Sequence, residues 1–275
     1  MNLLYCGDSN FEDGLIISIL SILKHEKREL NIYVLTMAYE THDKKYFPVS
    51  STTIKKLDKL VKKTNPKSFV KLIDITDIYH KYELSANAET RFTPYCMLRL
   101  YADLVDLPSK ILYLDNDVVC MNSFSSFYDI DNSNYELVGV LDRYGSWFFR
   151  KKFWQRDYLN SGVLLLNLDM IKQTNLFTKA REMCQTKTML MPDQSALNKL
   201  AIAKKIVPNI YNQQKWIKKD TIFRHFTTTF KFFPKFRTQK IKPWDIDNLH
   251  NILKTYEIDD ILKEYTQFKK ELNHD

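Results

Sequence analysis

The chain of 275 residues carries 41 lysines and arginines against 33 aspartates and glutamates, a net charge of +8. That length suffices for one large domain with a full core, and the positive excess favours anionic partners such as phosphates, nucleic acid or a membrane surface. Four cysteines lie far apart with no Cys-x-x-Cys pair, which argues against a zinc module and gives no sign of a disulfide framework, and only five glycines occur, with no glycine-rich phosphate loop among them.

Met1 to Cys6 is apolar but too short for a signal peptide. The apolar run Leu15 to Leu23 is broken by Ser18 and Ser21 and is too short to span a bilayer. A cytoplasmic protein is expected, touching at most the inner membrane face. Leu3 to Cys6 reads as a strand, Phe11 to Lys24 as a helix and Asn31 to Met37 as a second strand. Ile54 to Thr64 reads as a helix, Phe69 to Asp74 as a strand, Tyr95 to Val105 as a helix and Ile111 to Leu114 as a strand. Strands alternating with helices imply βαβ units and a parallel sheet, an α/β fold.

At Lys110 to Val119 a buried strand is interrupted by Asp115, Asn116 and Asp117. Burying carboxylates is costly unless they are paired or bound to a metal. Two of them at i and i+2 leaving a strand together suit Mg²⁺ or Mn²⁺, which share their shell with substrate phosphates. An isolated motif of this kind also fits a strand end whose acids cap a turn. Further on, Tyr158-Leu159-Asn160-Ser161-Gly162 stands at the mouth of an apolar strand, where α/β sheets place ligands. Asp193 and Gln194 open a helix that runs through Leu197 and Leu200, and His225 follows an apolar stretch. Taken alone, Asp193 reads first as a helix cap and His225 as a satisfied core histidine, although histidine also binds Mn²⁺ through its neutral ring.

Taken in order, Asp8-Ser9-Asn10, Tyr113-Leu114-Asp115-Asn116-Asp117, Asn160 to Asn167, Asp193 to Asn198, His225-Phe226 and Lys242-Pro243-Trp244 resemble glycosyltransferase family 8 over roughly residues 1 to 245. The resemblance implies a GT-A fold, with a Rossmann-like, mostly parallel sheet flanked by helices. It divides the chain into a nucleotide-sugar transferase domain at 1–245 and a C-terminal helical extension at 246–275. It implies a retaining hexosyltransferase that uses Mn²⁺ (or Mg²⁺) and a UDP-sugar, UDP-galactose or UDP-glucose.

Carried over position by position, Asp115, Asp117 and His225 would hold the metal. Asp8 and Asn10 would contact uridine, Phe11 would stack on uracil, and Asn116 would belong to the same donor site. Arg99 would contact the donor, and Asn160, Asp193 and Gln194 would face its sugar, with Gln194 orienting it. Asp142 falls at a donor- or acceptor-side aspartate. An insertion separates His225 from Lys242, so either Lys231, which keeps the spacing, or Lys242, which keeps the Lys-Pro-Trp context, would touch the diphosphate. Lys231 is the expected residue.

Two other classes compete. A haloacid-dehalogenase-type phosphotransferase also uses a strand followed by Asp-x-Asp, but its motif opens the chain and would leave Asn160, Gln194 and His225 without roles. A non-catalytic sugar-nucleotide- or glycan-binding subunit would have no need of three metal ligands. The acceptor is expected to be a glycan, glycolipid or glycoprotein, and nucleic acid is not expected to bind. Trp147 to Arg156 is aromatic and basic, suiting either a buried helix with a solvated face or a lid that stacks sugars. Asn248 to Leu262 reads as an amphipathic packing helix with a role at an oligomer or membrane contact.

Overall fold

The computed structural model describes residues 1–42, 44–87, 94–143, 157–231 and 237–272, without the side chains of 230 and 231. In the first half, strands β1 (Asn2–Cys6), β2 (Asn31–Thr36) and the short pair β3 (Tyr39–Glu40) and β4 (Lys45–Tyr46) precede β5 (Phe69–Asp74). Helices α1 (Glu12–His25) and α2 (Ser51–Thr64) connect them, and α3 (Thr76–Lys81) follows β5. Next come β6 (Lys110–Leu114), β7 (Val118–Cys120), α4 (Ser125–Tyr128), β8 (Leu137–Leu141) and the nine-residue β9 (Leu159–Asn167). Helices α5 (Leu168–Thr174), α6 (Leu176–Thr186) and α7 (Pro192–Leu200) lead to β10 (Lys204–Ile206) and β11 (Phe223–His225). A hairpin of β12 (Thr229–Lys231) and β13 (Arg237–Gln239) and the terminal α8 (Asp259–Leu272) close the chain.

Seven strands form the central sheet in the order β10-β8-β9-β6-β1-β2-β5. Six run parallel and β9 is antiparallel to both β6 and β8, so the sheet is mostly parallel, as expected. That reversal has a consequence for the site. Strand β9 enters the sheet beside the end of β6, with Leu114 paired to Val163, so Asn160, Ser161 and Gly162 arrive next to Asp115. Strand order also reverses around β1, which lies between β6 and β2. The crevice beyond the carboxyl ends of strands at such a switch point is where α/β sheets bind ligands.

Helix α1 is buried along ten consecutive residues, Gly14 to Leu23, because the sheet, β7 and α8 surround it. Its two serines are satisfied there. Ser18 Oγ meets Tyr5 OH at 2.8 Å, and Ser21 Oγ donates to Ser18 O and accepts the Cys120 N–H at 2.9 Å. No helix among the described residues is long and apolar enough to cross a membrane.

Two expected helices take other forms. Pro94–Leu104 is an eleven-residue 3₁₀ helix with eight buried residues; packing between the sheet and α6 outweighs its poorer hydrogen-bond geometry. The expected helix from Asn248 to Leu262 is broken. A π-turn at Leu249–Leu253 ends at Lys254 in the left-handed region (φ 54°), and α8 starts at Asp259. Helix α8 docks on α1 by burying Ile261, Leu262 and Phe268, preceded by Ile258. At about 1.5–3 kcal/mol per buried apolar side chain, these dominate the flanking surface pairs Lys24–Asp260 and Lys269–Asp13, each worth at most about 1 kcal/mol.

Candidate active site

At the end of β6 the chain turns through Asp115, Asn116 and Asp117 before entering β7. Asp115 N donates to Gly162 O at 2.8 Å, and Val118 N closes the turn on Asp115 O at 3.2 Å. Strand β11 pairs antiparallel with β7, placing His225 opposite Val118, and Phe226 N donates to Asp117 O at 2.9 Å. Three separate strands thereby bring Asp115, Asp117 and His225 together, with one ligand atom from each within 4.8 Å of the others. His225 Nε2 lies 3.1 Å from Asp117 Oδ1 and 3.6 Å from Asp115 Oδ2.

This constellation fits a divalent cation. Asp117 is buried, yet its Oδ1 receives no hydrogen bond, an expensive arrangement for a carboxylate oxygen. Two carboxylates and an imidazole are the hard and borderline donors that Mg²⁺ and Mn²⁺ take. Burial alone would raise the Asp117 carboxyl, but Lys242, which bonds its Oδ2, holds it well below the usual carboxylate range. Lys242 Nζ also donates to Phe226 O at 3.1 Å. Of the two candidate lysines, Lys242 thus reaches the centre; the Lys231 side chain lies outside the described residues. So do Trp147 to Arg156.

Around the acids, a cavity of about 250 Å³ is lined by Gly7, Asp8, Asn10, Phe11, Arg99 and Asn116, among others. Asn10 is exposed and donates to Asp8 Oδ2 at 2.9 Å. Phe11 stands in the wall, edge-on to Tyr5 at 6.4 Å. Asn116 Nδ2 reaches Phe11 O at 3.4 Å, tying the acidic turn to the β1 side of the cavity. Cys6 and Cys96 also line it, their thiols pushed up by burial, so neither supplies a ready thiolate.

Arg99 is the buried hub of the opposite wall. Its Nη2 donates to Asp115 Oδ1 at 2.9 Å, its Nε lies 3.2 Å from Asp193 Oδ2, and its Nη1 donates to Ser161 O. The guanidinium lies 3.9 Å over the Tyr113 ring, whose hydroxyl donates to Asp115 Oδ1 at 2.6 Å. Burial works against its charge, but Tyr113, Asp115 and Asp193 more than offset this and raise its pKa. Asp193 moves up from the ordinary value because burial outweighs Arg99.

Beyond Arg99, Asn160, Asp142, Asp193 and Gln194 form one polar cluster. Asn160 Nδ2 donates to Asp142 Oδ2 at 2.8 Å, and Gln194 Oε1 accepts Ser161 N–H at 2.9 Å. Ser161 Oγ bridges to Asp193 Oδ2 at 3.2 Å and to Gln194 Oε1 at 3.3 Å. Apart from Lys231, every candidate site residue lies in one of these connected groups. The sequence reading missed Tyr113 as a support of Asp115, Ser161 as a bridge, and Asn212, whose side chain spans Asn160 and His225. It also missed Arg224, buried behind His225, donating to Gln213 O at 2.9 Å and pushed down to about 10 by burial. Asn212 sits in an irregular segment with no motif to mark it, so only the fold reveals it.

The family model for glycosyl transferase family 8 matches residues 2–246. A Haemophilus influenzae protein named as a glycosyltransferase is 26% identical over 222 residues, covering 77% of this chain and 63% of that relative. The lipopolysaccharide 1,3-galactosyltransferase of Salmonella typhimurium is 22% identical over 258 residues, covering 90% of this chain and 69% of the relative. The chain therefore spans about two thirds of the length of these curated relatives. Among solved structures, an active-site mutant of LgtC superposes with a TM-score of 0.68 at 16% identity, over 98% of this chain and 96% of that one. At that identity the likeness establishes the fold, GT-A.

Proposed function

The chain belongs to glycosyltransferase family 8, and from that premise we propose that it is a retaining, Mn²⁺-dependent hexosyltransferase. It moves galactose or glucose from a UDP-sugar to a glycan, glycolipid or glycoprotein. The observation that carries this reading is the convergence of Asp115, Asp117 and His225 around an Asp117 oxygen that receives no hydrogen bond, at the mouth of the cavity holding Asp8, Asn10 and Phe11. Lipopolysaccharide and donor-with-acceptor complexes in the names of the relatives and neighbours agree with this substrate class.

Asp115, Asp117 and His225 would hold Mn²⁺ (or Mg²⁺), which when bound neutralises charge growing on the UDP leaving group as a Lewis acid. Lys242, beside Asp117, adds a fixed positive charge for the diphosphate. Asp8 and Asn10 bind the uridine, Phe11 offers an aromatic wall to uracil, and Asn116 lines the same cavity. Arg99 acts through Asp115 and Asp193, holding both carboxylates in place. Asn160, Asp142, Asp193 and Gln194 bind the hexose hydroxyls.

Retention requires either two inversions or attack on the face the leaving group occupies. Gln194 Oε1 already accepts from Ser161 N and Ser161 Oγ, so it is a poor nucleophile twice over: an amide, and one with its oxygen engaged. This supports front-face substitution, with Gln194 orienting the sugar and the departing diphosphate taking the acceptor proton. The test is the anomeric configuration of product formed from UDP-galactose or UDP-glucose on a panel of galactosides and glucosides. The α-linked product is expected; a β-linked product would overturn the retaining assignment.

A further inference from the structure

Asn212 is almost wholly buried, 1% exposed, between two groups of the site. Its role follows from hydrogen-bond directions that one backbone group makes unambiguous. Gly162 N–H can only donate, and it points at Asn160 Oδ1 at 3.1 Å. On the other side, Asn160 Nδ2 donates to the Asp142 carboxylate at 2.8 Å. The Asn160 amide is therefore oriented from both ends. Its Oδ1 accepts a second bond at 2.9 Å from Asn212, which must supply it through Nδ2. That leaves Asn212 Oδ1, an acceptor, facing His225 Nδ1 at 3.2 Å. The proton between them belongs to the imidazole.

We propose that Asn212 is a positioning residue that fixes His225 as the Nδ1–H tautomer, aiming the Nε2 lone pair between Asp115 and Asp117. Tautomer choice is set by whatever the other ring nitrogen bonds, and such outer partners raise metal affinity and fix ring orientation. Nε2 then faces Asp117 Oδ1 at 3.1 Å and Asp115 Oδ2 at 3.6 Å, the two carboxylate oxygens that would share a cation with it. Through the same side chain, Asn160, which faces the donor sugar, and His225 share one rigid element. The metal part of this inference rests on the proposed function; the tautomer part does not.

The experiment has two arms, on wild type, Asn212→Ala and Asn212→Asp. In metal-free protein at alkaline pH, ¹⁵N–¹H correlations of the His225 ring report which nitrogen carries the proton. Nδ1–H is expected in wild type and in Asn212→Asp, which keeps the acceptor oxygen, and a shift toward Nε2–H in Asn212→Ala. In the second arm, electron paramagnetic resonance of free Mn²⁺ with UDP present should show affinity reduced by roughly 10- to 100-fold in Asn212→Ala and partly restored in Asn212→Asp, which keeps the acceptor for Nδ1–H but loses the donor to Asn160 Oδ1. Nε2–H in the wild type, or an Asn212→Ala protein with unchanged tautomer and unchanged Mn²⁺ affinity, would overturn the proposal. If the wild type binds no Mn²⁺ while the tautomer responds as expected, the metal reading falls and the positioning of His225 by Asn212 stands.

Discussion

Replacing Asp117 by alanine is expected to reduce Mn²⁺-dependent UDP release by more than about 10²-fold, since even outer partners of a metal ligand cost about 10–100-fold. The protein should remain folded. The Asp117 backbone oxygen that binds Phe226 N is untouched by the substitution. Lys242 is left without its carboxylate, but its side chain is 28% exposed and can turn to water. Asp115 would be a poorer choice for the same test. Its Oδ1 receives both Arg99 and the Tyr113 hydroxyl, so its removal takes a charge partner from a buried arginine and a hydrogen-bond acceptor from a buried tyrosine. Loss of activity in Asp115→Ala would therefore mix chemistry with stability. Near-normal release by Asp117→Ala, at unchanged melting temperature, would contradict the ligand assignment.

The second large effect is expected at Gly162. A Cβ placed there would meet His225 Cε1 at 2.1 Å, His225 Nδ1 at 2.8 Å and Asp115 Oδ2 at 2.7 Å. Two of the proposed metal ligands would have to move, and neither has room, because His225 is backed by Asn212 and Asp115 is held by Arg99. Gly162→Ala is therefore expected to lose Mn²⁺ binding together with activity, the latter again by about 10²-fold, the scale on which ångström displacements of a reacting group act. Gly139→Ala serves as the control. There the closest atom is Leu164 Cδ2 at 2.8 Å, the free end of a flexible side chain that can rotate away. If the two variants bound Mn²⁺ equally well, the close approach at Gly162 would have no functional meaning.

Much of the site was legible because its chemistry is written in short contiguous motifs at strand ends. Asp115 and Asp117 interrupt an apolar strand, and Asn160 to Gly162 stand at the mouth of another. Such interruptions are visible in one dimension because burial makes charge conspicuous. The βαβ alternation likewise exposed β1, β2, β5 and β6 in chain order, though not the short β3 and β4 pair. The reversal of β9 was not visible: a continuous apolar run reads the same in either direction, and only its pairing with β6 and β8 gives it a sense. Nor was the break after Asn248 visible, since amphipathic spacing continues through Leu249 and Leu253 while the backbone turns at Lys254. Arg99 was identified by its place in a motif, but its use was not. Its engagement with Asp115, Asp193 and Ser161 arises from three segments that meet only in the folded sheet. Asn212 belongs to the same class, a residue whose meaning lies wholly in tertiary contacts.

As proposed above, Asp115, Asp117 and His225 make this fold a metal-dependent UDP-sugar transferase. That assignment is tested most directly by UDP release from UDP-galactose and UDP-glucose, in the presence of an acceptor panel, with Mn²⁺ and then with excess EDTA. Release is expected from one of the two donors, stopping on chelation and returning when Mn²⁺ is added back. Release that continues undiminished in EDTA would contradict the assignment.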